Sequence, residues 1–291
     1  MLSFQLSRLF RCREYRVSLI ISLLVTCLLF LSEVLKSYHL DRAAMITAVE
    51  HCCVWGETFG WSIYSILWPF LVVLPFATSF IEEKKNNIIG TLVSRENYKS
   101  YLSSKIIASG IGSSVVVGAP LFLNLIMCLA VFPQNHNQLN FYWFHGFSES
   151  LMGENRFFNA LVPHYSFLHL YMDSPVLYCI LFIVILTLFS ALCGAMITAL
   201  SYIWSKSKIV LFIPLYGITV LSQYLSSFML GQAINRPEYK YFTTYLMDYL
   251  APMTRSECYW PYFIGICVFF AAVTFLCYKW SVRHGFSFAQ G

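Results

Sequence analysis

The chain has 291 residues, of which 58% are hydrophobic and only 11% are charged. Soluble domains carry about 25% charged residues, so this composition excludes a domain that faces water on all sides. The net charge of +5 does not indicate a nucleic-acid partner, because the basic residues lie at the edges of apolar runs and not in one patch. We therefore predict a single all-α, polytopic membrane domain that covers residues 1–291.

The apolar runs predict six transmembrane helices, each near the length of about 20 residues that a bilayer requires. The first run, Val17–Leu35, is too long for the apolar part of a signal peptide and has no small-residue cleavage site after it. Before it, Leu2–Arg16 carries four arginines among apolar residues, which is typical of an amphipathic helix in the membrane interface. The predicted spans are residues 17–35, 61–81, 106–132, 175–204, 209–230 and 261–278, and the predicted outer segments are 36–60, 133–174 and 231–260.

The basic residues predict the orientation of these spans. When both termini are placed on one side of the membrane, that side holds 13 of the 19 lysines and arginines. Cytoplasmic segments of membrane proteins carry the excess of Lys and Arg. Both termini are therefore expected in the cytoplasm.

The stretch Pro75–Ile107 joins the second and third predicted spans on the cytoplasmic side. It begins with a charged block at residues 82–85, and apolar residues at positions 81, 88, 89 and 92 share one helical face. Ser94 is a predicted N-cap for a second helical start. We expect a short, ordered element here that a cytoplasmic partner binds.

Polar side chains inside the predicted spans are candidates for function. Glu33 is the ionisable one, and an interfacial carboxylate beside Lys36 is favoured over a functional role. The neutral candidates for a translocation path cannot all face lipid, although some would serve only as hydrogen-bond partners between helices. These candidates are Asn124, Ser222, Gln223, Ser226 and Ser227.

Catalytic and cofactor motifs are not found in the sequence. It has no GxxxxGK[ST], no HExxH and no GxSxG, so we expect no catalytic site, no cofactor and no metal in this chain. His164 and His169, with Asp173, form a metal candidate that we do not favour. The ten cysteines do not have the spacing of a zinc site. The sequence leaves undecided whether Cys258 forms a disulfide with Cys52 or Cys53.

The layout of the chain, together with the sequence FATSFIEEKKNNIIGTLVSRENYKSYLSSKII at residues 76–107, resembles the type-two ABC transporter permeases. The nearest likeness is to permeases of bacterial bacteriocin, lantibiotic-immunity and peptide export systems. The resemblance implies that the N-terminal helix is an elbow helix and that the loop is a coupling helix, docked on a separate ATPase subunit. The coupling residues that it implies are Glu82, Glu83, Lys84, Lys85, Gly90, Arg95, Glu96, Tyr98 and Lys99.

The resemblance also implies a dimer of two permeases, identical or different, in the bacterial cell membrane, with ATP and Mg²⁺ on the partner ATPase. We expect an alternating-access exporter of an amphipathic or hydrophobic cargo, with a peptide as the favoured class, and no enzyme activity in this chain. The first alternative is a stand-alone immunity or sensor protein that binds an extracellular peptide without ATP. The second is an intramembrane enzyme, for which the sequence offers no catalytic constellation.

Overall fold

The structure is a computed structural model that describes residues 1–40, 45–55, 58–75, 79–86, 89, 97–134, 167–204, 209–235, 244–252 and 258–288. Within these ranges the regular structure is helical, as the composition predicts. The α-helices, in chain order, are α1 (Leu2–Arg11), α2 (Arg13–Ser37), α3 (Phe59–Val73), α4 (Ser79–Lys85), α5 (Tyr98–Val131), α6 (Leu168–Asp173), α7 (Pro175–Ser201), α8 (Phe212–Asn235) and α9 (Trp260–Phe288). Two short 3₁₀ helices, Ile209–Leu211 and Leu246–Tyr249, precede α8 and follow it.

Four of the described helices are long and apolar enough to cross a membrane: α2, α5, α7 and the Trp260–His284 part of α9. The chain is therefore a membrane-embedded, all-α protein. Helix α8 has 24 residues but carries several polar side chains, and α3 has only 15 residues. The two further spans that the sequence predicts, 61–81 and 209–230, stay predictions.

The second predicted span is interrupted in the structure. Helix α3 ends at Val73, and α4 begins as a separate short helix at Ser79. The last turn of a helix leaves carbonyl groups without helical partners, which is costly away from water. Two serines satisfy them, because Ser18 Oγ donates to Leu71 O at 3.2 Å and Ser113 Oγ donates to Val72 O at 2.7 Å. Leu71 O and Val72 O, two of the last carbonyl groups of α3, therefore have partners where the helix ends inside the protein.

Helix α5 begins at Tyr98, before the third predicted span, which starts at residue 106. Its N-cap is Asn97, whose side chain accepts a hydrogen bond from Lys99 N at 3.1 Å, and the helix then runs without interruption for 34 residues. Ser94, the predicted cap, lies outside the described residues. At 1.5 Å per residue α5 is about 51 Å long, against about 30 Å for the bilayer core. A helix of this length extends beyond the bilayer core or tilts strongly within it.

Helices α5 and α7 form the centre of the bundle, with α1, α2 and α3 packed against α5 and with α9 packed against α7. Small residues allow this close approach: a Cβ atom added to Gly194 would lie 2.2 Å from Ser113 Oγ. Polar bonds cross the same interface, because Ser109 Oγ donates to Gly194 O at 3.1 Å and Thr198 Oγ1 donates to Ser109 Oγ at 2.6 Å. The small residues of the third predicted span therefore make a tightly packed interface.

The segment 45–55, predicted as part of an outer polar segment, is folded into one end of the bundle. Val54 and Trp55 are fully buried, and Ala48 N donates to Pro133 O at 2.9 Å. All ten cysteines are free, so the disulfide between Cys258 and Cys52 or Cys53 is not formed. We call the end of the bundle that holds α1, α4 and the first turns of α5 the basic end. The end that holds the segment 45–55 is the opposite end.

Candidate functional site

Helix α4 places one charged residue inside the protein. Phe80 and Glu83 are three residues apart and therefore share a face of the helix, and both are buried, whereas Lys85 is exposed. Phe80 packs edge-on against Tyr202 of the segment after α7, with ring centroids 4.7 Å apart. The second glutamate of the charged block is thereby fixed in the interior of the basic end.

Three elements meet at the carboxylate of Glu83. Arg8 of α1 places Nη1 2.7 Å from Glu83 Oε1, and Lys105 of α5 places Nζ 2.5 Å from the same oxygen. The hydroxyl of Tyr101, also on α5, donates to Glu83 Oε2. We call these four residues the Glu83 cluster. It connects α1 and α4 to the long helix α5.

The Glu83 cluster has the contacts that a buried charge requires. The side chains of Glu83 and Lys105 are 0% exposed, and that of Arg8 is 34% exposed. Lys105 Nζ also donates to the Tyr101 hydroxyl at 3.3 Å and lies 5.4 Å from the centroid of that ring. Buried ions are tolerated when hydrogen bonds and opposite charges replace water. Removing one partner would therefore leave an uncompensated charge inside the protein.

Aromatic hydroxyls extend this region to the other helices. Tyr202 donates to the backbone carbonyl of Leu102 at 3.0 Å, which joins the end of α7 to α5. The hydroxyls of Tyr98 on α5 and Ser281 on α9 are 3.2 Å apart. Polar contacts therefore connect α5 to α1, α4, α7 and α9 at the basic end.

The structure places the predicted coupling residues in different environments. Glu83 lies in the interior, so its side chain is not available to a partner protein. Lys85 and Lys99 are exposed, whereas Glu82, Lys84 and Tyr98 are partly buried. Gly90, Arg95 and Glu96 lie outside the described residues. Of the described coupling residues, Lys85 and Lys99 are therefore the most accessible to a partner.

Asn124, predicted for a translocation path, is fully buried in α5 near the opposite end. Its Oδ1 accepts hydrogen bonds from Cys53 N at 3.0 Å and from Cys52 Sγ at 3.2 Å. Its Nδ2 donates to Thr26 O of α2 at 3.3 Å. Asn124 therefore holds the segment 45–55 against α2 and α5, and its amide is used within the chain.

The polar residues of α8 point in two directions. Ser222 and Ser226 are buried, whereas Gln223 and Ser227 are exposed. Ser222 Oγ donates to Thr219 O at 2.8 Å and accepts from Leu246 N at 3.4 Å, which holds the second 3₁₀ helix on α8. Ser222 also lines an apolar cleft of about 420 Å³ between α8 and α9. A role for these four residues in a path stays a prediction.

A second polar group lies at the opposite end. Tyr171 donates to Glu50 Oε1 at 2.6 Å, and Thr47 N donates to the other oxygen of this carboxylate at 3.0 Å. Burial, and then the Glu50 carboxylate, raise the pKa of Tyr171, so the phenol keeps its proton. The sequence did not single out this pair, because the two residues are 121 positions apart.

Glu33 lies beside Lys36, as predicted, and the two form an ion pair in which Lys36 Nζ is 2.5 Å from Glu33 Oε1. Glu33 Oε2 also lies 3.4 Å from Nδ1 of His51, a buried residue of the segment 45–55. The sequence missed a second ionisable residue, Lys105, which is fully buried within a helix that is long and apolar enough to span the membrane. The lysine was assigned to the loop, because the third span was predicted to begin after it.

Comparisons with protein-family models, curated proteins and solved structures give no match to this chain. In the described part of the chain, no three His, Cys, Asp or Glu side chains are arranged to hold a metal ion. His164, from the unfavoured metal candidate, lies outside that part, as does the side chain of His169. The site that the structure does assemble is the Glu83 cluster.

Proposed function

We propose that this chain is the membrane-spanning permease subunit of an ABC exporter in the bacterial cell membrane. In this proposal a separate ATPase subunit binds ATP and Mg²⁺, and a second permease copy completes the translocation path. The cargo is amphipathic or hydrophobic, with a peptide as the favoured class. The observation that carries the proposal is the attachment of the loop segment to both α1 and α5 through Glu83.

A soluble ATPase can move membrane helices only through a rigid contact with them. Helix α4 buries Phe80, Ile81 and Glu83 against the bundle and leaves Lys85 exposed. A partner that binds the exposed side would therefore act on α5 through a buried ion pair and not through a loose loop. This supports a coupling role for the segment.

The proposed orientation rests on the charge of the basic end. Helix α1 carries Arg8 and Arg11 in its last turn, and Arg13 and Arg16 follow in the first turns of α2. No acidic residue occurs in α1. Cytoplasmic placement of this end, with the coupling segment beside it, agrees with the distribution of Lys and Arg over the whole chain.

The first experiment is co-purification of this chain with a co-expressed ABC ATPase from the same genome. The test variant is Lys85→Glu, and the control is Lys36→Glu, which reverses the charge of an exposed lysine at the opposite end. We expect Lys85→Glu to release the ATPase while the permease elutes as a homogeneous species. The control variant should retain the ATPase.

The second experiment measures ATP-dependent movement of candidate peptides in vesicles that contain both proteins. The absence of such movement, with ATPase bound, would contradict the export function. A chain that protects cells against a peptide equally well with Lys85→Glu, and without any ATPase, would instead be a stand-alone immunity or sensor protein.

A further inference from the structure

A cleft of about 360 Å³ opens near the end of α9, beside the end of α7. One helical face of α9 supplies most of its lining, because Lys279 and Trp280 lie three and four residues after Leu276, and Arg283 lies four and three residues after them. Ile203, just after α7, adds a second apolar wall. The cleft is therefore apolar at one end and cationic at the other.

The cations of this cleft have no acidic partner in the described part of the chain. No Asp or Glu occurs in α9, and neither Lys279 nor Arg283 forms an ion pair with a described residue. Lys279 Nζ lies 5.8 Å from the ring centroid of Phe275, and Arg283 is exposed. The cleft thus presents two positive charges whose natural complement is an anion.

The order of the residues along α9 selects the kind of anion. Leu276 lies toward the membrane-spanning part, the Lys279–Trp280 pair comes next, and Arg283 and His284 lie nearest the end of the helix. Tryptophan and basic side chains at the end of a span lie at the level of the lipid head groups. The same order, apolar and then cationic, is that of the acyl chains and phosphate of a phospholipid.

We propose that this cleft binds one anionic phospholipid. Lys279 and Arg283 hold its phosphate, and Leu276 and Ile203 contact the part of the acyl chain next to the head group. The stacked rings of Trp280 and His284, whose centroids are 4.8 Å apart, form the wall at the level of the head group. A soluble phosphate would use the two cations but would leave the apolar walls without a partner. This inference does not depend on the proposed ATPase partner.

The test uses native mass spectrometry of the purified full chain in detergent, with dioleoyl phosphatidylglycerol, dioleoyl phosphatidylcholine or inorganic phosphate added. We expect a phosphatidylglycerol adduct that is retained in preference to phosphatidylcholine. The variant Lys279→Gln/Arg283→Gln should reduce this preference about 25-fold, because each basic residue near an anionic group contributes a factor of about five. The double exchange Lys279→Arg/Arg283→Lys should keep it.

The matched control is Arg11→Gln/Arg13→Gln, which removes two exposed charges from the same end of the protein outside the cleft. It should leave the adduct within about twofold of the wild-type level, since the attraction between the lipid phosphate and cations outside the cleft is screened beyond a Debye length. An equal loss in both double variants, or equal retention of both lipids by the wild-type chain, would overturn the proposal. Displacement of phosphatidylglycerol by millimolar inorganic phosphate would assign the cleft to a free anion instead.

Discussion

Lys105 Nζ lies 2.5 Å from Glu83 Oε1, and neither side chain is exposed to solvent or lipid. The two residues come from different helices, α4 and α5, and the segment between them contains the loop that we propose as the coupling element. The ion pair therefore closes the loop at its base. It also fixes α1, because Arg8 contacts the same carboxylate oxygen.

We predict that Glu83→Ala destabilises the protein by about 3–5 kcal/mol, because it leaves the buried Lys105 cation without its partner. The double variant Glu83→Leu/Lys105→Met should recover most of this loss, since it removes both charges together. Thermal unfolding in detergent measures both effects. Lys85→Gln is the control for a charge on the same helix, and it should change stability by less than about 0.5 kcal/mol. A Glu83→Ala variant as stable as this control would show that the ion pair is not structural.

The interface of α5 and α7 gives a prediction with a matched pair of glycine substitutions. Gly194→Ala would place a Cβ 2.2 Å from Ser113 Oγ and 3.2 Å from Ser109 O, so we expect it to cost about 1–3 kcal/mol. Gly217→Ala, on α8, meets nothing within 4 Å and should be neutral or should stabilise by up to about 1 kcal/mol. Unfolding temperatures of the two variants, compared with the wild type, test the packing. Equal effects at the two positions would argue against close packing at Gly194.

Asn124→Ala should loosen the segment 45–55, because the buried Cys53 N would lose its acceptor. An unsatisfied buried donor costs about 1–3 kcal/mol. We expect maleimide to modify Cys52 and Cys53 faster in this variant, which mass mapping of the labelled peptides measures. Ser114→Ala is the control on the same helix, since among the described residues Ser114 bonds to the Ile111 carbonyl of its own helix. Unchanged labelling in Asn124→Ala would mean that other contacts hold the segment.

Tyr171→Phe should destabilise the opposite end by about 1.5–3 kcal/mol, because the Glu50 carboxylate, a charged acceptor, loses the hydrogen bond that Tyr171 donates. The pKa of Tyr171 is raised in the folded chain, so the protonated phenol stabilises the fold. This stabilisation is complete below the pKa of tyrosine in the unfolded chain, about 10, and is lost as the pH rises above that value. The difference between wild type and variant should therefore be constant from about pH 6 to pH 9 and should shrink above about pH 10. Chemical unfolding at several pH values measures it. A difference that grows with pH would contradict the assignment of the proton to Tyr171.

Much of the fold follows from the sequence, because long apolar runs have one stable form in lipid. The predicted spans 17–35, 106–132 and 261–278 lie almost entirely within α2, α5 and α9, and 175–204 corresponds to α7 apart from three residues at its end. Each prediction came from a local pattern of hydropathy. The boundaries were less accurate where a polar helical turn continues an apolar helix, as at the start of α5.

The candidate site was only partly predictable. The run of two glutamates and two lysines indicates a solvated face, and no local rule distinguishes Glu82 from Glu83. The burial of Glu83 depends on Arg8, which is 75 positions earlier in the chain, and on Lys105, which is 22 positions later. The end of α3 at Val73 was missed for a similar reason, since the serines that accommodate it belong to two other helices.

The unbroken course of α5 connects the two polar regions of the protein. Tyr101, in the Glu83 cluster, and Asn124, which holds the segment 45–55, are both residues of this one helix, about 35 Å apart at 1.5 Å per residue. If this part of α5 tilts as a rigid rod by about 10° about one end, its other end moves by about 6 Å. A small tilt of α5 imposed at the basic end would therefore displace the helix by several ångströms near Cys52 and Cys53 at the opposite end.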